Sequence, residues 1–201
     1  MTANLILASK SETRQKILRD FGVAFEVAVA KVDEGTIKKE QQKKGLTPEE
    51  IANYLAKEKA IKISKEKPES YVLGADQILE INGEIFSKAA TPARAKEQLK
   101  KLSGKTHSLI SAAAMVCKGD VVWQKTDKAH ITIKDLSDEE IDAYIKKEKE
   151  RVLHSVGCYQ IENNPWLLKE AHGDFFTILG LPIYSILKEL QERNKAGLSA
   201  L

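Results

Sequence analysis

"LILASKSETRQKIL", residues 5–18, decides what kind of fold this chain enters. Leu5 to Ala8 form a short apolar run that reads as a buried strand. Ser9 and Ser11 interrupt it, and Ser11 suits the N-cap of a helix whose apolar stripe is Ile17, Leu18 and Phe21. Gly22 then stops that helix. A strand that turns directly into a helix opens an α/β chain. Small hydroxyl residues at such a turn leave room for a ligand near the backbone. The first helix amides are unpaired, and the dipole favours an anion there. Ser9 and Ser11 can add hydroxyl donors, and Arg14 can fork two hydrogen bonds onto a phosphate. The plainer alternative is an N-cap beside a surface arginine.

The rest of the chain extends the α/β pattern. "AFEVAVA" at 24–30 alternates like a strand, while the charged stretch 31–46 lacks periodicity and reads as a mobile loop. Thr47, Pro48 and Glu50 form a capping box with proline at the first helical position. Ile51, Tyr54, Leu55 and Ala60 continue that helix. "YVLGADQILEI" at 71–81 reads as a strand with a polar centre, and Asn82-Gly83 as a hairpin turn. Thr91-Pro92 opens a helix through Leu102. Two long strand-like runs flank "CKGD" at 117–120, and Ser137 and Glu140 box the start of another helix. "GDFFTILGLPI" at 173–183 reads as an apolar strand, a glycine and a proline-started helix reaching Asn194. With no repeat and no linker, the expectation is one α/β domain over residues 1–201, with a mixed sheet and flanking helices.

Composition limits the function. The chain has 201 residues, enough for one substantial core, and 30% of them are charged. A net charge of +3 is small, and only five of the 32 basic residues are arginine. The lysines are interleaved with glutamates, so no single-sign patch for nucleic acid forms. No run approaches the ~20 apolar residues of a membrane span, and no signal peptide is recognisable. Cys117 and Cys158 are the only cysteines, which suits reduced thiols in a cytoplasm.

Asp76 is the residue whose placement most needs explaining. An ionised carboxylate in an apolar strand is costly unless a cation pairs with it. It sits where a sheet offers side chains to a cleft, so a metal ion or basic side chain would account for it. Lys59, Lys88 and Glu34 acquire meaning only if the fold brings them near Asp76 and Arg14, and Glu162 in "GCYQIENN" is a further carboxylate candidate. "SGKTH" at 103–107 lacks the glycine spacing of a phosphate loop and follows a helix, so it reads as a turn. The four histidines share no metal-ligand spacing.

Together these pieces resemble the Maf family of nucleoside triphosphate pyrophosphatases. The resemblance rests on Ser9-Lys10-Ser11-Glu12-Thr13-Arg14, Glu58-Lys59-Ala60, Gly74-Ala75-Asp76, Lys88 after the hairpin, Leu102 to His107, and Gly180-Leu181-Pro182, all in family order. It implies cleavage of a nucleoside triphosphate between the α and β phosphates, with a divalent metal, Mg or Mn. It also implies a two-lobed fold shared with the inosine-triphosphate pyrophosphatases, a ligand cleft between the lobes, and a homodimer. Carried over, Asp76 is the catalytic acid and a metal ligand. Ser9, Ser11, Arg14, Lys59, Lys88 and Gln77 hold the substrate, and Glu34 and Glu162 are further metal contacts. Three departures stand out: Glu12-Thr13 where many members have Pro-Arg, Ala89 where many have Pro, and "ENNPWLLKEAHGD" where relatives are often glycine-rich. "GADQ" and Glu162 lean toward 7-methyl-GTP as substrate, and "GCYQI" toward dTTP and UTP. The competing expectations are a non-enzymatic nucleotide- or nucleic-acid-binding regulator of cell division and an inosine-triphosphate pyrophosphatase proper. Few arginines and no interleaved aromatic and basic residues weigh against the first. The Ser-x-Ser-x-x-Arg opening weighs against the second.

Overall fold

The computed structural model describes residues 4–195 and 197–201. Its strands are β1 (Leu5–Leu7), β2 (Glu26–Val27), β3 (Tyr71–Ile81), β4 (Glu84–Phe86), β5 (Thr106–Cys117), β6 (Asp120–Ile133) and β7 (Leu168–His172). Its α-helices are α1 (Glu12–Asp20), α2 (Glu34–Lys43), α3 (Pro48–Glu66), α4 (Pro92–Leu102), α5 (Asp138–Glu148), α6 (Phe175–Ile178) and α7 (Ile183–Lys195). The sheet order is β2-β1-β3-β5-β6-β7, with β4 also on β3. β1 runs parallel to β2 and β3, whereas β3–β4 and β6–β7 are antiparallel. The mixed α/β sheet expected from the sequence is therefore present. The chain folds as two compact units, each discontinuous in sequence.

The first unit comprises the stretch up to Gln77, Ile110–Asp127 and Asp174 onward. Successive strand residues point to opposite faces, which gives the sheet two cores. Leu5, Leu7 and Leu73 pack on one face with Leu18 of α1 and Ile186 and Leu190 of α7. Ile6, Ala8 and Val72 pack on the other with Ala60 and Ile63 of α3. Gly74 is where α3 comes closest, since a Cβ there would lie 2.1 Å from the Ala56 carbonyl oxygen. That close approach puts Lys59, in the same helical stretch, beside the middle of β3.

The second unit comprises Ile78–Leu109 and Lys128–Gly173. The Asn82-Gly83 turn joins β3 to β4 with Ile81 opposite Glu84, as an Asn-Gly hairpin should. Thr91 caps α4, and Ser137 with Glu140 forms the predicted box on α5. Gly157 holds φ +78 under Leu79 and Tyr159, where a Cβ would come within 2.5 Å of Leu79 Cδ1.

Three expectations need correction. Residues 34–43 are not a loop but α2, capped by Asp33, whose side chain accepts from the Thr36 amide. Its inward face is Glu34, Ile37, Lys38 and Gln41, a helical spacing carried by polar residues and so invisible to an apolar count. "AFEVAVA" contributes only the two residues of β2, because its alternate positions Val27 and Val29 are exposed. "DFFTI" is the helical turn α6, capped by Asp174, rather than a strand.

Candidate functional site

β1 ends at Leu7, and its continuation carries Ser9 into the turn before α1. Ser9 Oγ accepts from the Ser11 amide at 3.2 Å, and Ser11 Oγ caps α1 by accepting from the Arg14 amide at 3.4 Å. The two hydroxyls thus shape the turn, and Ser9 itself is buried.

Arg14 is not the surface residue of the plainer reading; it is 9% exposed. Its Nε donates to the Gly180 carbonyl at 2.9 Å, and Nη1 donates to the Ala75 carbonyl at 2.8 Å and to Ser9 Oγ at 3.4 Å. Those bonds use every N–H on Nε and Nη1. With Nε and Nη1 bonded to protein, Nη2 and its two N–H groups are the edge left for a ligand. Burial lowers the pKa of the guanidinium, and the charges of Asp76 and then Glu34 work in the opposite direction.

Asp76 lies next to Ala75 at the polar centre of β3 and is 3% exposed. Its Oδ1 accepts from Lys59 Nζ at 2.6 Å. Lys59 Nζ also sits 2.8 Å from Glu34 Oε1, so one ammonium bridges two carboxylates from α2 and β3. Asp76 and Lys59 are nearly buried, while the Glu34 side chain is 41% exposed. Asp76 Oδ2 is buried and has no hydrogen-bond partner among the described residues. A buried carboxylate oxygen left unpaired beside a paired twin is costly, which marks a position for a ligand.

Gln77 follows Asp76, and its amide nitrogen is engaged by protein. Its Nε2 reaches Ser111 Oγ at 3.1 Å and the carbonyls of Thr177 and Ile178 at 3.1 and 2.9 Å. The donors of Gln77 are thus spent on protein, while its Oε1 lies by the Gly180 turn. Lys88 and Glu162 both lie in the second unit and are exposed. Glu162 is nonetheless partly desolvated, and this raises the pKa of its carboxyl.

Among the described residues, the structure brings Ser9, Ser11, Arg14, Glu34, Lys59 and Asp76 together in the first unit. The sequence reading missed the backbone carbonyls of Ala75 and Gly180, which no residue-type signal reveals. It also missed Ser111. No group of three or more His, Cys, Asp or Glu residues among the described residues could form an all-protein metal cage. Nucleophilic cysteine chemistry has no support either: burial pushes the Cys158 thiol up to about 11, against the thiolate such chemistry needs.

The available donors do fit a hard divalent cation. Magnesium is usually held by one or two carboxylates together with substrate phosphates and water. Asp76 and Glu34, linked by their shared lysine, could supply such carboxylates.

A family model described as "Maf-like protein" matches residues 4–193. The "7-methyl-GTP pyrophosphatase" of Brucella abortus is 41% identical over 192 residues, covering 95% of this chain and 96% of that protein. The "Nucleoside triphosphate pyrophosphatase" of Rhodopseudomonas palustris is 43% identical over 191 residues, covering 94% and 93%. A solved HAM1 protein from Coxiella burnetii aligns over 65% of this chain and 73% of that one, at 20% identity and a TM-score of 0.42, too partial a likeness to support an inference. With the serine turn, the Lys59–Asp76 pair and the Gly180 turn all inside the matched span, the chain belongs to the Maf family.

Proposed function

We propose that this protein is a nucleoside triphosphate pyrophosphatase, a hydrolase that cleaves the anhydride between the α and β phosphates and releases a nucleoside monophosphate and pyrophosphate. The observation that carries the reading is the buried, unpartnered Oδ2 of Asp76, on a carboxylate whose Oδ1 is paired with Lys59 and whose charge acts on Arg14. The near-full-length relatedness to proteins named as pyrophosphatases supports the same reaction.

The two cations and two carboxylates of the cluster carry no net charge between them. A triphosphate brings about four negative charges, so these residues alone cannot neutralise it. A divalent ion, Mg or Mn, would be held by Asp76 and Glu34, where it would offset phosphate charge and lower the pKa of a bound water. Arg14 presents Nη2 to the phosphates. Lys59 fixes Oδ1 of Asp76 and so aims Oδ2. As water adds across the anhydride and the bridging P–O bond breaks, Oδ2 is placed to accept the water proton, while pyrophosphate leaves. Ser9 and Ser11 shape the turn at the α1 N-terminus, where the helix dipole favours an anion.

We favour 7-methyl-GTP first, on the names of the relatives above, with dTTP and UTP next. A homodimer and a cytoplasmic location complete the proposal. No helix among the described residues is long and apolar enough to cross a membrane.

The test is a pyrophosphate-release assay over standard and methylated nucleoside triphosphates with Mg²⁺ and Mn²⁺. Asp76→Asn should lower kcat at least about a hundredfold while folding normally. Near wild-type turnover in that variant would overturn the assignment of Asp76.

A further inference from the structure

We propose that Ser111 and Gln77 are positioning residues that aim Arg14 through the turn Thr177–Gly180. The inference rests on the phosphate-binding role given to Arg14 above. Ser111 is fully buried in β5, beside Ala112 and Ala113. A hydroxyl there is unfavourable unless hydrogen-bonded. Its Oγ donates to the Thr177 carbonyl at 2.7 Å. Gln77 Nε2 converges on that carbonyl, on the next one at Ile178, and on Ser111 Oγ itself. Both side chains therefore rise from the sheet onto the backbone of α6. That helix has only four residues, too short to hold its own shape.

The far end of the turn is Gly180, whose carbonyl accepts from Arg14 Nε. Gly180 adopts φ +97, and a Cβ there would lie 3.5 Å from Gln77 Oε1 and 3.6 Å from Arg14 Nε and Nη2. The turn is thus confined between Gln77 and Arg14. With Nε and Nη1 committed, the direction of Nη2 follows from where Gly180 and Ala75 put their carbonyls. Small misplacements of a substrate-holding group can cost large factors in rate. Ser111 and Gln77 touch neither the phosphates nor the water; they act by holding the turn that holds Arg14.

A purely structural role predicts something different. It would lower the melting temperature and leave substrate affinity alone, whatever residue occupies position 14. The discriminating experiment is a double-mutant cycle. Ser111→Ala and, as a second probe, Gln77→Met are each made in the wild-type and Arg14→Met backgrounds. KM, melting temperature and the calorimetric Kd for an α,β-methylene nucleoside triphosphate are measured for all. In the wild-type background, Ser111→Ala should raise KM and the analogue Kd roughly three- to tenfold, with a smaller effect on kcat. In the Arg14→Met background it should change neither.

An equal loss of affinity in both backgrounds would overturn this inference while leaving Arg14 as a phosphate ligand. So would a lowered melting temperature with unchanged KM and Kd. Unweakened analogue binding in Arg14→Met would remove the phosphate role of Arg14 and this inference together. A wild-type protein that binds no analogue would remove the proposed function itself.

Discussion

At the scale of single residues, Arg14 shows how a sequence motif can be right about location and wrong about surroundings. Its spacing from Ser11 marked a strand-to-helix turn, and that turn exists. Nothing in the sequence showed that the guanidinium is buried and bound to two backbone carbonyls, because those acceptors belong to residues 61 and 166 positions away. Arg14→Met should therefore raise KM at least roughly tenfold and also cost about 1–3 kcal/mol of stability, since both carbonyls lose a charged donor. Steady-state kinetics and thermal unfolding on the same sample read the two effects; an unchanged melting temperature would contradict the burial. Lys59 makes a second case. Lys59→Met leaves Asp76 and Glu34 without the ammonium that bridges them and should destabilise the fold by about 3 kcal/mol. Adding Asp76→Asn should restore part of that loss, although not the activity. If the double variant melts no higher than Lys59→Met alone, the pair is not the source of the cost. Asp76 itself was legible from the sequence because a charge within an apolar strand requires a partner, and the partner proved to be the lysine of the family motif.

At the scale of elements, what was legible depended on chemistry that is local. Capping boxes at Thr47 and Ser137, the Asn-Gly turn and the Thr-Pro helix start all depend on neighbours within four residues, and all appear where expected. α2 escaped because its inward face is polar. Lys38 and Gln41 are buried where an amphipathic helix usually carries leucine. α6 escaped because a four-residue run with three apolar side chains cannot distinguish a strand from a helical turn; Asp174, accepting from the Thr177 amide, settles the matter. Thr47→Ala should cost α3 about 1 kcal/mol, read by chemical denaturation, with no change in kcat because the cap lies at the helix start and Lys59 lies past its middle. Gly157→Ala should cost more. Positive φ and a 2.5 Å approach to Leu79 combine there, for about 1–3 kcal/mol. A Gly157→Ala protein as stable as wild type would show that the 156–158 backbone can relax.

At the scale of the whole molecule, stability should fall in acid for a nameable reason. His107 is 2% exposed in the second unit, its Nε2 is 2.5 Å from the Tyr159 hydroxyl, and burial lowers its pKa from 6.5 to about 4. The unfolded chain therefore binds the proton more readily than the folded one. His107 costs nothing above pH 6.5, and stability declines as pH drops from there toward 4, by roughly 3 kcal/mol at most. His107→Phe should flatten that part of the profile measured by denaturation at successive pH values; an unchanged slope would assign it to other groups. The interleaving of the units has a consequence in time. The chain leaves the first unit at Gln77 and returns to it for good only at Asp174. Leu181, Ile183, Ile186 and Leu190 then complete the core that Leu5, Leu7 and Leu18 began. While the protein is being synthesised, the first strand must wait with one apolar face uncovered until Leu181 to Leu190 have emerged. A nascent chain stalled before Pro182 should remain open to protease in the stretch up to Gln77, and one extended past Leu190 should close there.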